Sequence, residues 1–187
     1  MPKLTDEQVV RRALVHKEEF AVLISRYEAK LMRYLDRLGI YLTEDKEDVL
    51  QNAFIKAYKN LNSFDSNLAF SSWVYRIAHN EAMSFFRAKK ARPQATLSED
   101  SERLLTELKD ETADATAFSE LRLSSAELAK AFATLEPKYR DALTLRFFEE
   151  RSYTEMSDIL QVPIGTVSTL IHRAKQALKN AMPHFTP

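Results

Sequence analysis

Cysteine is absent from this chain, and glycine occurs only twice in 187 residues, as Gly39 and Gly165. Without cysteine there is no disulfide framework, no thiolate metal site and no sulfur nucleophile. Two isolated glycines assemble neither the Rossmann turn nor the P-loop, and they are too few for the tight turns of a β-rich fold. The four histidines, His16, His79, His172 and His184, lie too far apart in sequence to suggest a metal-ligand set. No apolar run reaches membrane-spanning length, and the N-terminal Met-Pro-Lys-Leu-Thr-Asp has no signal-peptide core. The expectation is a cytoplasmic protein with no membrane insertion. No paired carboxylate, nucleophile–base pair or metal cluster stands out, so neither an enzyme nor a cofactor is expected.

What is present is charge in blocks and apolar residues at helical spacing. Lysines and arginines balance aspartates and glutamates at 27 each, but residues 1–92 carry a net +4, residues 93–117 a net −5, and residues 118–187 a net +1. No acid follows Asp158, whereas Arg173, Lys175 and Lys179 do. Two basic surfaces flanking an acidic connector favour a polyanionic partner, since steering depends on local potential rather than net charge. Thr5-Asp6-Glu7-Gln8 reads as a capping box opening a first helix. Phe20, Leu23, Ile24, Tyr27, Leu31, Tyr34, Leu35 and Leu38 form one helical face that Gly39 ends. Thr43-Glu44-Asp45 opens a helix with Leu50, Ala53, Phe54, Ala57, Tyr58 and Leu61 inward. Ser71 or Ser72 suits the cap of a fourth helix, running to about Lys90. Residues 93–117 lack an apolar face and read as a linker. Helical spacing resumes near Phe118, Pro137 suits a helix first turn, and Ser152-Tyr-Thr-Glu155 is a second capping box. The fold class expected is all-α: two small helical domains, 1–92 and 118–187, joined by an acidic linker.

Two segments carry chemistry. Phe70–Arg92 holds the one tryptophan, four other aromatics and six bases with His79 counted, against one acid, Glu81. Rings and cations on one element suit single-stranded nucleic acid, whose bases stack while cations follow the phosphates. The same pattern also fits a core helix with Trp73, Val74, Ile77 and Ala78 buried, leaving Arg76, His79, Asn80, Met83 and Arg87 on the other face. The second segment is a helix-turn-helix: Met156 and Ile159/Leu160, the turn Gln161-Val-Pro163, then a helix burying Val167, Leu170 or Ile171, and Ala174. Its leading residues Thr166, Ser168 and Thr169, with His172 and Arg173 a turn on, would meet base edges and phosphates in a major groove. A plain helical hairpin is the alternative. By spacing alone, Glu47-Asp48-Val-Leu-Gln51-Asn52-Ala-Phe54 is a solvated polar face.

Together these segments resemble the bacterial RNA polymerase sigma factors of the extracytoplasmic-function type, within the sigma-70 class. The resemblance covers nearly the whole chain outside the linker. Glu47 through Tyr58 looks like the core-polymerase-binding helix, Phe70 through Asn80 like the promoter-melting segment, and Leu135 through Lys175 like the minus-thirty-five-binding domain. It implies that Asp48, Gln51, Asn52 and Phe54 meet the polymerase clamp. Phe64, Asn67, Ala69 and Phe70 would pocket a base flipped from the non-template strand, and Arg76, His79, Asn80, Met83, Ser84 and Arg87 would hold adjacent minus-ten positions. Thr166, Ser168, Thr169, His172, Arg173 and Lys175 would bind the minus-thirty-five element. Core RNA polymerase and promoter DNA are the implied partners, with an anti-sigma factor expected from family habit.

The 25-residue linker has a coil reach of roughly 28 Å and a maximum of about 85 Å, while promoter elements two helical turns apart are about 70 Å distant. Three residues depart from the family pattern: Ser84 for a common Asp, Leu170 for a common Arg, and Gln161 for a turn glycine. The competing expectation is a helix-turn-helix regulator whose N-terminal bundle never touches polymerase; a helical adaptor without a nucleic-acid role is the third.

Overall fold

The computed structural model describes residues 4–65, 68–91 and 125–182, and among these all regular structure is helical. Helix α1 (Asp6–Ala13) opens on the complete Thr5/Gln8 capping box. Its Asp6 accepts from Arg26 Nη1 at 2.6 Å and from the Tyr27 hydroxyl. After a 3₁₀ turn at Lys17–Glu19, α2 (Phe20–Leu38) runs nineteen residues and buries Phe20, Leu23, Tyr27, Leu31, Tyr34, Leu35 and Leu38. Full burial of each leucine contributes about 1.5–3 kcal/mol relative to exposure. Gly39, at φ 104°, ends α2 in the left-handed conformation that glycine adopts without a steric penalty.

Helix α3 (Thr43–Lys59) begins one residue earlier than a Thr43 cap would require: Leu42 occupies the cap position without a side-chain bond, and Glu44 and Asp45 face the helix dipole from the first turn. Helix α4 (Phe70–Ala91) likewise places Ser71 and Ser72 inside the helix instead of at its cap. The Phe70 N–H instead donates to Glu7 Oε1 of α1 at 3.4 Å, so the start of α4 is held by a tertiary contact. A short 3₁₀ turn, Leu61–Ser63, precedes it.

The C-terminal half comprises α5 (Ser125–Thr134), α6 (Pro137–Leu143, proline in the first turn), a π-helical turn at Thr144–Phe148, α7 (Tyr153–Leu160) and α8 (Ile164–Asn180). The expected linker 93–117 and the resumption of helix near Phe118 lie outside the described residues. No described helix is long and apolar enough to cross a membrane.

The two halves share one core. Helix α7 packs along α4, and α6 packs against α2 and α8. Ala142, Leu145, Met156, Ile159, Val167 and Ile171 join the same buried cluster as Leu23, Tyr34, Trp73 and Ala82. A second, smaller cluster of Phe132, Leu135, Leu143, Ala174 and Leu178 binds the C-terminal helices to one another.

The junction between the halves is also ionic. Asp141, 1 % exposed, accepts from the Tyr34 hydroxyl at 2.9 Å, and its other oxygen lies 2.8 Å from His79 Nδ1. Glu149 accepts from Arg37 Nη1 at 3.1 Å and from the Tyr75 hydroxyl. Arg140 donates to the Leu38 carbonyl at 2.9 Å, and Arg151 to the Ser71 hydroxyl at 3.1 Å. Burial, then the facing carboxylates Asp141 and Glu149, push the Tyr34 and Tyr75 hydroxyls well above the ordinary tyrosine range.

Candidate nucleic-acid interface

Three exposed surfaces emerge from this packing. The first is a stripe on α3. Asp48, Gln51, Asn52 and Ile55 recur at the spacing of one helix face and all reach solvent, Ile55 being 44 % exposed. Phe54 does not belong to the stripe. It is 9 % exposed and sits in the core, so in this structure it supports the helix from beneath. Ile55, an apolar residue presented beside polar ones, was not singled out from the sequence; its position one turn after Gln51 and Asn52 was the available signal.

The second surface starts at the loop before α4. Phe70 is 1 % exposed and stacks among Tyr27, Phe64 and Trp73, with ring centroids 5.4–5.6 Å apart. Phe64 is half-buried and Ala69 exposed, while Asn67 lies outside the described residues. The aromatic cluster is therefore a floor, with Phe70 beneath it and Phe64 at its edge. Further along α4, Trp73, Val74 and Ala78 are buried as expected, with Ile77 partly so. Asn80, Ser84 and Arg87 are exposed in sequence along one face. Arg87 Nη2 donates to Ser84 Oγ at 3.0 Å, and that hydroxyl donates to the Asn80 carbonyl at 2.8 Å. Ser84 thus orients the Arg87 cation without neutralising it, which an aspartate there would do.

Met83 and His79 differ from the open placement expected of them. Met83 is half-buried and packs against the shared core, and His79 turns toward Asp141. Arg76 is half-buried.

The third surface is the helix-turn-helix of α7 and α8. Ser152 and Glu155 complete the second capping box. Burial pushes the Glu155 carboxyl up, but the Ser152 backbone N–H, the Ser152 hydroxyl and Arg151 outweigh it and hold the group below the usual carboxylate range. The turn is pinned by Ser157 Oγ, which donates to the Val162 carbonyl at 2.6 Å. Gln161 adopts φ 56°, so the position usually filled by glycine is left-handed here. Val167, Ile171 and Ala174 face inward and Leu170 packs half-buried against the core. Thr166, Ser168, Thr169, His172, Arg173 and Lys175 are all exposed. A Cβ on Gly165 would meet nothing within 4 Å, so the start of α8 stands open for close approach. Among the described residues no cluster of acids or histidines suited to a metal ion occurs.

Comparison with known proteins finds matches to both halves of the chain. The Sigma-70 region 2 family model matches residues 23–92, and the model for Sigma-70, region 4 matches residues 125–178. The ECF RNA polymerase sigma-E factor of Haemophilus influenzae is 36% identical, over 95% of both chains. The ECF RNA polymerase sigma factor SigW of Bacillus subtilis is 34% identical, over 89% of this chain and 90% of its own. Among solved structures, CnrH in complex with the cytosolic domain of CnrY has the same fold, with a TM-score of 0.68 at 21% identity, covering 97% of this chain and 99% of CnrH. The sigma factor RpoE of Bartonella quintana, in complex with the anti-sigma factor NepR, gives a TM-score of 0.63 at 20% identity over 90% and 99%.

Proposed function

The chain belongs to the extracytoplasmic-function sigma factors of RNA polymerase, and from that premise we propose how its surfaces divide the work. As a sigma factor it binds core RNA polymerase, recognises promoter DNA and promotes melting of the minus-ten element. The α3 stripe of Asp48, Gln51, Asn52 and Ile55 is the polymerase contact. The rim of Phe64 and Ala69 over the buried Phe70, with Asn67 as a further contact, receives a flipped non-template base, and Asn80, Ser84 and Arg87 hold the strand beyond it. Thr166, Ser168, Thr169, His172, Arg173 and Lys175 read the minus-thirty-five element from α8. Residues 1–92 and 118–187 act as the two DNA-engaging units and 93–117 as their acidic connector. The factor works in the cytoplasm, where the polymerase is.

Opening a duplex in this way needs no covalent chemistry. Extruding a base costs a few kcal/mol, and each stacked base returns about 1–3 kcal/mol. Preferential binding of the melted state then shifts the equilibrium. An anti-sigma factor is part of the proposal, because the structural neighbour RpoE was captured with one.

The observation that carries this reading is the order of the surfaces: a polar stripe on α3, an α4 lined with basic residues and an exposed recognition helix, on a chain of which a sigma factor matches 95%. The test is a pull-down with core polymerase using Asp48→Ala combined with Gln51→Ala. Both side chains are exposed, so folding should change by no more than about 0.5 kcal/mol each. Association is expected to fall about tenfold or more, some 1.4 kcal/mol. Unchanged association would favour a helix-turn-helix regulator that never meets polymerase.

A further inference from the structure

Among the described residues, the C-terminal half of the chain leaves one large apolar side chain standing in solvent. Ile164, the first residue of α8, is 52 % exposed. Pro163 beside it is exposed as well. A single exposed apolar residue needs no explanation by itself. What sets Ile164 apart is its setting. Three residues on, Val167 is fully buried, so the core of the unit ends one turn short of Ile164.

The side chain is held in place. Ser157 Oγ donates to the Val162 carbonyl at 2.6 Å, and the Thr166 N–H donates to the Pro163 carbonyl at 2.8 Å, which fixes the backbone on both sides of Ile164. An isoleucine in a helix has one strongly preferred χ1. Little conformational freedom is then lost when another surface covers it. A Cβ on Gly165 would meet no described atom within 4 Å, which leaves room for a base edge beside Ile164.

The start of α8 is short of other means of telling bases apart. Between Asp158 and His172 the sequence holds no charged residue. No arginine or lysine is present there to fork onto guanine, and no carboxylate to accept from cytosine. Gln161, the one side-chain amide in the stretch, folds back on the Asp158 carbonyl at 2.6 Å. Thr169 spends its hydroxyl proton on the Gly165 carbonyl at 3.0 Å. Thr166 and Ser168 keep their hydroxyls, but a hydroxyl donates or accepts alike and bonds to either kind of base edge. The distinctive group at this end of the helix is therefore apolar. The major groove of B-DNA displays one apolar group, the C5-methyl of thymine. Arg173 and Lys175, exposed two turns or more further along α8, supply the charge for the phosphates.

We propose that Ile164 is a specificity-determining residue: it packs on the C5-methyl of a thymine in the major groove, and the upstream element this chain selects carries thymine at the base pair facing the start of α8. Cytosine, with a hydrogen where thymine has the methyl, loses the contact. The inference rests on α8 being the helix that enters the groove, as in the sigma-factor reading, and adds to it a reader that hydrogen bonding does not supply.

The test uses the full chain bound to core polymerase and promoter duplexes randomised across the upstream element. Selection by the parent holoenzyme should return thymine at one fixed position. In the selected duplex that thymine is replaced by deoxyuridine, which differs only in lacking the methyl. Parent binding should weaken about fourfold, the worth of one methyl group taken out of water. Ile164→Ala should bind the thymine duplex with a similar loss and should no longer distinguish thymine from deoxyuridine. Ile164→Val, which keeps an apolar branched group, should retain the discrimination. Circular dichroism melts of both variants should match the parent, since the side chain lies outside the core. A parent indifferent to deoxyuridine throughout the selected element, or an Ile164→Ala chain that discriminates as the parent does, would overturn the proposal and leave the sigma-factor reading intact. A holoenzyme that transcribes yet selects no upstream element would contradict the role of α8 itself, and the proposal with it.

Discussion

Arg140 fills the space that Gly39 leaves open at the end of α2. Its Nη1 donates to the Leu38 carbonyl at 2.9 Å, and a Cβ on Gly39 would stand 2.2 Å from that same nitrogen. Its Nη2 reaches the Ala133 and Leu135 carbonyls, so one guanidinium closes the C-terminal ends of α2 and α5 together. Burial depresses the Arg140 pKa from its ordinary value, yet three carbonyls and two helix dipoles still favour the cation.

Gly39→Ala should therefore cost more than its backbone. The left-handed conformation alone penalises alanine by about 1–2 kcal/mol, and the collision with Arg140 adds to it. Urea denaturation of Gly39→Ala, Arg140→Ala and the double variant checks this: the double should be less destabilised than the sum of the singles, because removing Arg140 removes the clash. Strict additivity would show that the two residues do not meet.

Gln161→Gly should stabilise the chain. Gln161 sits at φ 56° at the end of α7, where glycine would avoid a penalty of about 1–2 kcal/mol. The side-chain bond it gives up, Nε2 to the Asp158 carbonyl at 2.6 Å, is exposed and worth less. A net gain of about 1 kcal/mol in a urea melt is the expected result; a loss would mean that the side-chain bond outweighs the strain.

Much of this architecture was legible because it is local. The Thr5/Gln8 and Ser152/Glu155 boxes, the Gly39 stop and the Pro137 start each depend on neighbours within four residues, and each appears as read. The misplacements follow tertiary contacts. Ser71 and Ser72 do not cap α4 because Glu7, far away in sequence, takes the Phe70 N–H. His79 leaves the open face of α4 expected of it because Asp141 waits across the junction, and Phe70 goes inward because its ring buries apolar area there. The junction itself links residues more than a hundred positions apart, such as Tyr34 with Asp141 and Arg37 with Glu149, and no periodicity encodes such a pairing.

Alkaline pH should open the junction. Folded-state pKa values for Tyr34 and Tyr75 lie above the ordinary value of about 10, each raised first by burial and then by a facing carboxylate. A group whose folded pKa is raised contributes stability that is complete below its unfolded pKa and declines as pH climbs past it. Stability should hold to about pH 10 and then fall. Of the seven tyrosines, Tyr27, Tyr34 and Tyr75 should be the late fraction in a phenolate absorbance titration, Tyr27 through burial and Asp6. Conversion of Tyr34 to Phe should reduce the alkaline loss; an unchanged profile would place the effect elsewhere.

Run-off transcription with core polymerase on a library of genomic fragments tests the central claim most directly. A sigma factor should produce a small set of discrete transcripts that appear only when chain and core are both present and whose start sites share paired upstream elements. No chain-dependent transcript from a core preparation proven active with another sigma factor would contradict the account.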